Sequence, residues 1–290
     1  MPLASISERR RAFRRILAAN EALPAGSVFD AASARLAQAA GYRVGMFAGS
    51  VASAVVLGAP DLVVMTLTEF AEQARRIARG SDLPFMVDAD HGYGNALNVR
   101  RTVEELETAG VSAIAVEDTV LPRPYAGPES GLIQQDEFRD KLRSAVAARV
   151  DPELVIIGRT QALRDSGIVE AAERVRICNE TNVDAIFLVG VRSIDEVRRL
   201  RQETSLPLIL NAMPSDATAE AIAALGARLY LQGHLPYYAA LNTLYESYKH
   251  LVATGDQKPL EAKVLPKDVQ AVALDEAGYA AWTKEYMGLS

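Results

Sequence analysis

Cysteine is nearly absent from this chain. Cys178 is the single one, so no intrachain disulfide can form, which fits the reducing cytoplasm. It falls in a helical pattern and reads as a packing residue rather than a nucleophile. Long apolar runs are also missing, and nothing reaches the roughly 20 residues of a membrane span. Residues 44–60 come nearest, but Gly45, Gly49, Ser50, Ser53 and Gly58 interrupt them, so they read as a strand plus an active-site loop. An excess of positive charge is missing too: a net charge of −6 and a pI of about 5.3 exclude nucleic-acid binding through a global basic field. The exception is Arg9, Arg10, Arg11, Arg14 and Arg15, interleaved with Phe13, Ile16 and Leu17. That pattern reads as the solvated face of an amphipathic helix. It does not read as a signal peptide, because few apolar residues follow before Asn20 and Glu21.

What is present is an alternation of short apolar runs and helical patterns. Strands are expected at 27–29, 44–48, 84–90, 113–118, 154–158, 185–189, 206–210 and 228–231. Helices are expected at 31–40, 68–79, 95–109, 135–149, 166–180, 193–203, 217–225 and 236–251. Thr68 is the expected N-cap of the second helix and Gly110 closes the third. Most strands lack polar alternation, as parallel strands buried on both faces do. Eight β-then-α units predict an α/β fold, a (β/α)8 TIM barrel, with a doubly wound open sheet as the competitor. The 290 residues divide into an N-terminal helix (1–24), the barrel (25–253) and a helical tail (254–290), all one domain. Within the tail, 275–287 is a further helix with Asp275 as N-cap, and its Tyr279, Trp282 and Tyr286 need a surface to cover, which another subunit could supply.

The stretch that organises the chain is P-F-M-V-D-A-D-H-G-Y-G at 84–94. Asp88 and Asp90 stand i, i+2 at the end of an apolar strand, which predicts that they point to one side. Glu117 and Asp118 end the next strand, and Asp61 follows the uncharged run 44–60. Hard divalent cations such as Mg²⁺ prefer carboxylate oxygens and water. These acids are therefore expected to converge on one metal at the C-terminal mouth of the barrel, where such folds place their chemistry. Other polar residues at strand ends are Asp30, Gly49, Ser50, Arg159, Thr160, Asn211, Gln232 and His234, with Gly190 and Arg192 after strand six. Arg159 suits a substrate carboxylate, gripped in bidentate fashion while the metal polarises a carbonyl.

Each residue also has a plainer reading. Asp88 and Asp90 could cap the following loop, and Arg159 could form a structural ion pair with Glu117. Asp118 could pair with a neighbouring cation. His91 is as well explained by a structural hydrogen bond as by catalysis, and His234 by structure or substrate contact. Ser50 lacks an evident activating base and reads as a hydrogen-bond donor to substrate.

At these residues the chain resembles the isocitrate lyase/phosphoenolpyruvate mutase superfamily. The resemblance rests on V-F-D-A-A-S-A-R-L-A-Q-A-A-G-Y (28–42), L-G-A-P-D (57–61), D-A-D-H-G-Y-G (88–94), V-E-D (116–118) and G-R-T-Q-A-L (158–163). It implies a Mg²⁺-bound keto or hydroxy acid stabilised as an enolate, and a terminal helix exchanged between subunits of a homotetramer, a dimer of dimers. By position it makes Asp88 the direct metal ligand, with Asp61, Asp90 and Glu117 supporting through water. Gly49 and Ser50 match the loop that meets the substrate, and Arg159 the substrate-binding arginine.

One departure bears on function. Lyases of this superfamily carry K-[KR]-C-G-H after the fourth strand, with the Cys as catalytic acid. Here 121–133 reads L-P-R-P-Y-A-G-P-E-S-G-L-I, without Cys, Lys or His. Decarboxylation of a β-keto acid remains, because no base must start it and the essential task is to stabilise an enolate. The pattern of Ser50, Asp88, Arg159 and G-H-L-P at His234 resembles the oxaloacetate decarboxylase branch. The expected enzyme is thus a cytoplasmic decarboxylase of a small dicarboxylate keto acid. It uses Mg²⁺, with Mn²⁺ as the alternative, and has Arg159 and His234 as catalytic residues. The alternatives are a methylisocitrate-type C–C lyase, a keto-acid hydrolase and a non-catalytic dicarboxylate-binding protein.

Overall fold

The chain closes eight parallel strands into a barrel in sequence order: β1 (Leu23–Ser27), β2 (Gly45–Phe47), β3 (Phe85–Asp88), β4 (Ala113–Glu117), β5 (Val155–Thr160), β6 (Ala185–Leu188), β7 (Leu208–Leu210) and β8 (Ala227–Leu231). β8 pairs back onto β1, so no strand edge is left and the open doubly wound alternative is excluded. The structure is a computed structural model and describes residues 3–127 and 131–288. Its helices are α1 (Ile6–Ala18), α2 (Ala31–Ala39), α3 (Gly49–Ala52), α4 (Leu67–Ala78), α5 (Ala96–Ala109), α6 (Gln135–Ala148), α7 (Ala162–Asp165), α8 (Ile168–Glu180), α9 (Ile194–Arg201), α10 (Ala219–Ala224), α11 (Leu235–Thr254), α12 (Lys258–Glu261), α13 (Lys267–Leu274) and α14 (Glu276–Met287). Every residue of β2, β3, β4, β6 and β7 is buried, which is why these strands show no polar alternation.

Several expected boundaries move, each for a local reason. The first strand is 23–27, not 27–29: L-P-A-G-S has little strand propensity, but pairing with β2 and β8 imposes the conformation. The N-cap of α4 is Thr66, not Thr68, because only Thr66 stands three residues before an acid. Its hydroxyl accepts from Glu69 N, and the Glu69 carboxylate accepts from Thr66 N at 2.9 Å. Part of the loop expected after β2 is helical, α3 running into a π-turn at Ser53–Leu57 that ends at Gly58. The helix expected at 166–180 starts at Ile168, after Gly167, and a short additional helix, α7, precedes it. Between β4 and α6, Thr119 and Leu132 form an isolated antiparallel bridge; of the 121–133 stretch, residues 128–130 lie outside the described residues.

The arginine cluster on α1 is the clearest correction, because Arg9 and Arg10 are buried rather than solvated. The last carbonyls of any helix lack intrahelical donors. Arg9 Nη1 donates to Ala78 O (2.7 Å) at the end of α4 and to Ser81 O (3.0 Å). Arg10 donates to Glu107 O (2.6 Å) in the last turn of α5 and to Val111 O (3.0 Å) before β4, and pairs with Asp151 at 2.8 Å. Arg14 reaches Glu153 O and Leu154 O before β5, each at 3.0 Å. With Phe13, Ile16 and Leu17 buried, α1 caps the N-terminal end of the barrel and frees the opposite end for the site.

The tail is richer than expected, holding α12, α13 and α14. Only α13 packs closely, against α2, where Arg35 Nη1 donates to Ala273 O at 3.0 Å. Asp275 is no side-chain cap for α14: its backbone is left-handed (φ 54°) and its carboxylate makes no capping bond. Tyr279, Trp282 and Tyr286 are exposed, and α11 has no buried residue along its 20 residues.

Candidate active site

The acids and cations singled out in the sequence meet in one cavity of about 390 Å³ at the C-terminal mouth of the barrel. Ser50, Asp61, Asp88, Asp90, Glu117, Arg159 and His234 all line it. Gly49 sits just behind, where a Cβ would lie 2.7 Å from Asp90 Oδ2, so only glycine lets the chain pass that close.

Strand register explains the centre of the cluster. Glu117 on β4 stands opposite Arg159 on β5, and Asp88 on β3 stands opposite Ala115 on β4, two residues before Glu117. Arg159 Nη1 hydrogen-bonds Asp88 Oδ2 and lies 2.9 Å from Glu117 Oε2. The guanidinium also lies over the Phe187 ring, 5.4 Å from its centroid, which steadies it from the β6 side. The ion pair with Glu117 raised as the plainer reading is therefore present. Asp90 reaches the cavity by a different route from strand alternation. β3 ends at Asp88, and Asp90 takes a left-handed backbone (φ 48°) that turns it inward. Its carbonyl still accepts from Glu117 N at 2.9 Å, which ties the turn to β4.

Charge in the cavity does not balance. Four carboxylates, Asp61, Asp88, Asp90 and Glu117, surround Arg159. Burial and the neighbouring Asp88 and Glu117 push the Asp90 carboxyl far above its ordinary range. Burial, with Asp88 and Asp118 adding to it against the pull of Arg159, pushes Glu117 up to about 7. Asp61, on the exposed rim, is raised by the protein around its carboxylate and then by Asp88. Burial works against the Arg159 charge, but Asp88 and Glu117 outweigh it and raise its pKa further.

The buried Asp88 Oδ1 and Arg159 Nε have no hydrogen-bond partner here. Such orphans are rare in folded proteins and call for a ligand or ion. An oxygen-rich, under-neutralised cup suits a hard divalent cation. Among the described residues no group of three His, Cys, Asp or Glu side chains is placed to hold an ion directly. The fit is therefore to an ion that keeps much of its water, as Mg²⁺ does, with few direct protein ligands.

The remaining sequence candidates separate cleanly. His234 precedes α11, and its Nδ1 is 2.7 Å from Ser27 Oγ; burial lowers its pKa. Ser50 lies on the first turn of α3, and its hydroxyl has no hydrogen bond among the described residues. Asn211 lines the cavity, whereas Asp30 caps α2, Gln232 accepts from Tyr42 and Arg192 stands outside. Asp118 is fully buried and structural, accepting from Thr160 Oγ1 (2.5 Å) and Gln161 N (3.0 Å) with Arg174 at 3.9 Å. His91 faces a neighbouring cavity beside Lys141, and burial followed by the Lys141 charge lowers its pKa to about 4. Cys178 is buried behind β5, and burial raises its pKa. Sequence reasoning missed Gln161 and Arg164, both lining the cavity: the motif 158–163 ends one residue short of Arg164.

Known proteins resemble this chain over nearly its whole length. The profile of the phosphoenolpyruvate phosphomutase family matches residues 13–252. A relative from Chromohalobacter salexigens named oxaloacetate decarboxylase is 44% identical over 294 residues, covering 99% of each chain. Another of that name, from Bradyrhizobium diazoefficiens, is 44% identical over 254 residues, 87% of this chain and 88% of the relative. Among solved structures, oxaloacetate acetylhydrolase with the inhibitor 3,3-difluorooxalacetate superposes with a TM-score of 0.85 at 26% identity, covering 98% of each chain. Phosphonopyruvate hydrolase in complex with oxalate and Mg²⁺ does so with a TM-score of 0.84 at 27% identity, covering 96% of this chain and 99% of that one.

Proposed function

The chain belongs to the phosphoenolpyruvate phosphomutase family, and from that premise we propose that it is an oxaloacetate decarboxylase, releasing CO₂ and forming pyruvate. The observation that carries the reading is the pair of orphaned atoms, Asp88 Oδ1 and Arg159 Nε, gathered in one acid-rich cavity with Glu117, Asp90 and Asp61. The close relatives that bear the name cover the chain almost end to end.

In oxaloacetate the C3–C4 bond breaks, CO₂ leaves, and the electron pair moves into the C2 carbonyl. The enolate then takes a proton at C3. Asp88 would hold a divalent ion directly, with Asp61, Asp90 and Glu117 acting through water. Bound there, Mg²⁺, or Mn²⁺ in its place, would supply the positive charge that electrons arriving at the C2 oxygen require. The chain's own residues do the rest. Arg159 offers its unpartnered Nε, and the donors not held by Asp88 and Glu117, to a substrate carboxylate. Ser50 donates its free hydroxyl to the substrate. Ser27 fixes the His234 ring through Nδ1, leaving Nε2 toward the substrate. Phe187, Val189 and Leu231 form an apolar wall that excludes water from the reacting end.

The assembly we propose is a homotetramer in the cytoplasm, whose C-terminal helices are exchanged between subunits. The uncovered apolar residues of α11 and α14 support the exchange between subunits.

The acetylhydrolase likeness makes hydrolysis the second reading, and the products separate the two. Oxaloacetate incubated with the protein and Mg²⁺, followed by proton NMR, is expected to give pyruvate above the uncatalysed rate. Acetate with oxalate in its place would assign the chain to the hydrolases.

A further inference from the structure

The proposed substrate carries two carboxylates, and Arg159 is already engaged by Asp88 and Glu117. A second guanidinium lines the same cavity. Arg164 lies on α7, five positions after Arg159, and its Nε donates to Asp165 Oδ1 at 2.8 Å. That single bond fixes the plane of the group. Among the described residues its Nη1 and Nη2 make no hydrogen bond, and the side chain is 45% exposed. Gly190, after β6, makes room for it. A Cβ at Gly190 would lie 2.6 Å from Arg164 Cβ and 2.9 Å from its backbone N, and the Gly190 backbone is left-handed (φ 90°). Gly190 N in turn donates to Asn211 Oδ1 at 3.0 Å, joining this wall to another cavity residue. The segment is thus built so that a partly neutralised arginine projects two free donors at the rim, opposite no acid of its own but Asp165.

We infer that Arg164 reads the distal carboxylate of the substrate and selects dicarboxylate keto acids over monocarboxylates. The inference rests on the proposed decarboxylase reading. Two parallel donors on a planar fork match a carboxylate. As C3–C4 breaks, that carboxylate turns into neutral CO₂, so the contact is stronger in the ground state than in the transition state. Losing it therefore raises KM, while kcat holds or rises.

Binding without turnover tests this directly. Malate carries both carboxylates and no carbonyl to drive decarboxylation; lactate is the same molecule without the distal carboxylate; oxalate fits the metal end alone. Each is titrated by calorimetry, with Mg²⁺, into wild type, Arg164→Gln and Arg164→Lys. In wild type malate binds more tightly than lactate. In Arg164→Gln malate weakens by about 10-fold or more, the loss of a charge-assisted pair, while lactate and oxalate stay within about twofold. Arg164→Lys, with charge but no fork, falls between. Unchanged malate binding in Arg164→Gln overturns the inference. So does an equal loss for oxalate, which would make Arg164 a source of general field, or a wild type that does not prefer malate to lactate. Should wild type bind these acids and yet form no pyruvate from oxaloacetate, the decarboxylase reading falls while the binding result still decides the role of Arg164.

Discussion

The two ends of the barrel treat charge in opposite ways. At the N-terminal end, three arginines of α1 enter a partly buried layer and find carbonyls and acids waiting. Arg10 alone meets Glu107 O, Val111 O and Asp151. At the C-terminal end, four carboxylates crowd Arg159, and the buried Asp88 Oδ1 and Arg159 Nε stay unpartnered. The satisfied end is built for stability, whereas the frustrated end is poised for a ligand. Retaining such a cluster works against folding, since buried like charges raise one another's pKa. A site of this kind persists where something outside the chain completes it.

Substitutions at the two ends therefore fall on different observables. The largest effect is expected for Asp88→Ala, which should lower Mg²⁺-dependent pyruvate formation on the order of 10³-fold. It removes one of the crowded acids, so the thermal midpoint of the metal-free protein should not fall. Next comes Arg10→Ala at the other end, which takes a buried guanidinium donor away from Glu107 O, Val111 O and Asp151. Urea unfolding should show a loss of about 3 kcal/mol, with kcat on oxaloacetate unchanged at a temperature where the variant is folded. Third, Mg²⁺ at 100 times its Kd should stabilise wild type by about 2.7 kcal/mol and leave Asp88→Ala unmoved, read as shifts of the unfolding midpoint.

The smallest effect concerns acid. Burial raises the Asp151 pKa, but Arg10, Glu153 N and Ser7 outweigh it and hold it down to about 2. Unfolded, the group titrates near its ordinary value of about 3.9. The unfolded chain thus binds more protons between those values, so this contribution is full above about pH 4 and fades as pH falls toward 2. Asp151→Asn should flatten the stability profile in that window alone, measured by urea unfolding at successive pH values.

How much of this was legible in the sequence follows the same division. The acid cup was visible because Asp88 and Glu117 each end a run of buried apolar residues, a pattern that packing does not explain. The eight-fold repeat was visible because strands buried on both faces lose polar alternation. The bottom of the barrel was not visible. Arg9 and Arg10 look like any solvated basic face, and apart from Asp151 their hydrogen-bond partners are backbone carbonyls at 78, 81, 107 and 111, which carry no side-chain signature. Arg164 was hidden for a related reason. A lone arginine in a four-residue helix has no periodicity, and the clue to its placement, Gly190, lies 26 positions away on another strand end (190 − 164). Asp90 was placed rightly for the wrong reason, since a left-handed turn and not alternation points it inward.

The frustrated end is expected to be completed by a divalent ion and then to decarboxylate oxaloacetate. The most direct test is the initial rate of pyruvate formation by metal-stripped protein, coupled to lactate dehydrogenase, with and without Mg²⁺ and corrected for protein-free controls. An enzyme-dependent rate that appears on adding Mg²⁺ and disappears on chelation is the predicted result. A rate equal to the protein-free control at saturating Mg²⁺, or one that survives chelation intact, would contradict the account.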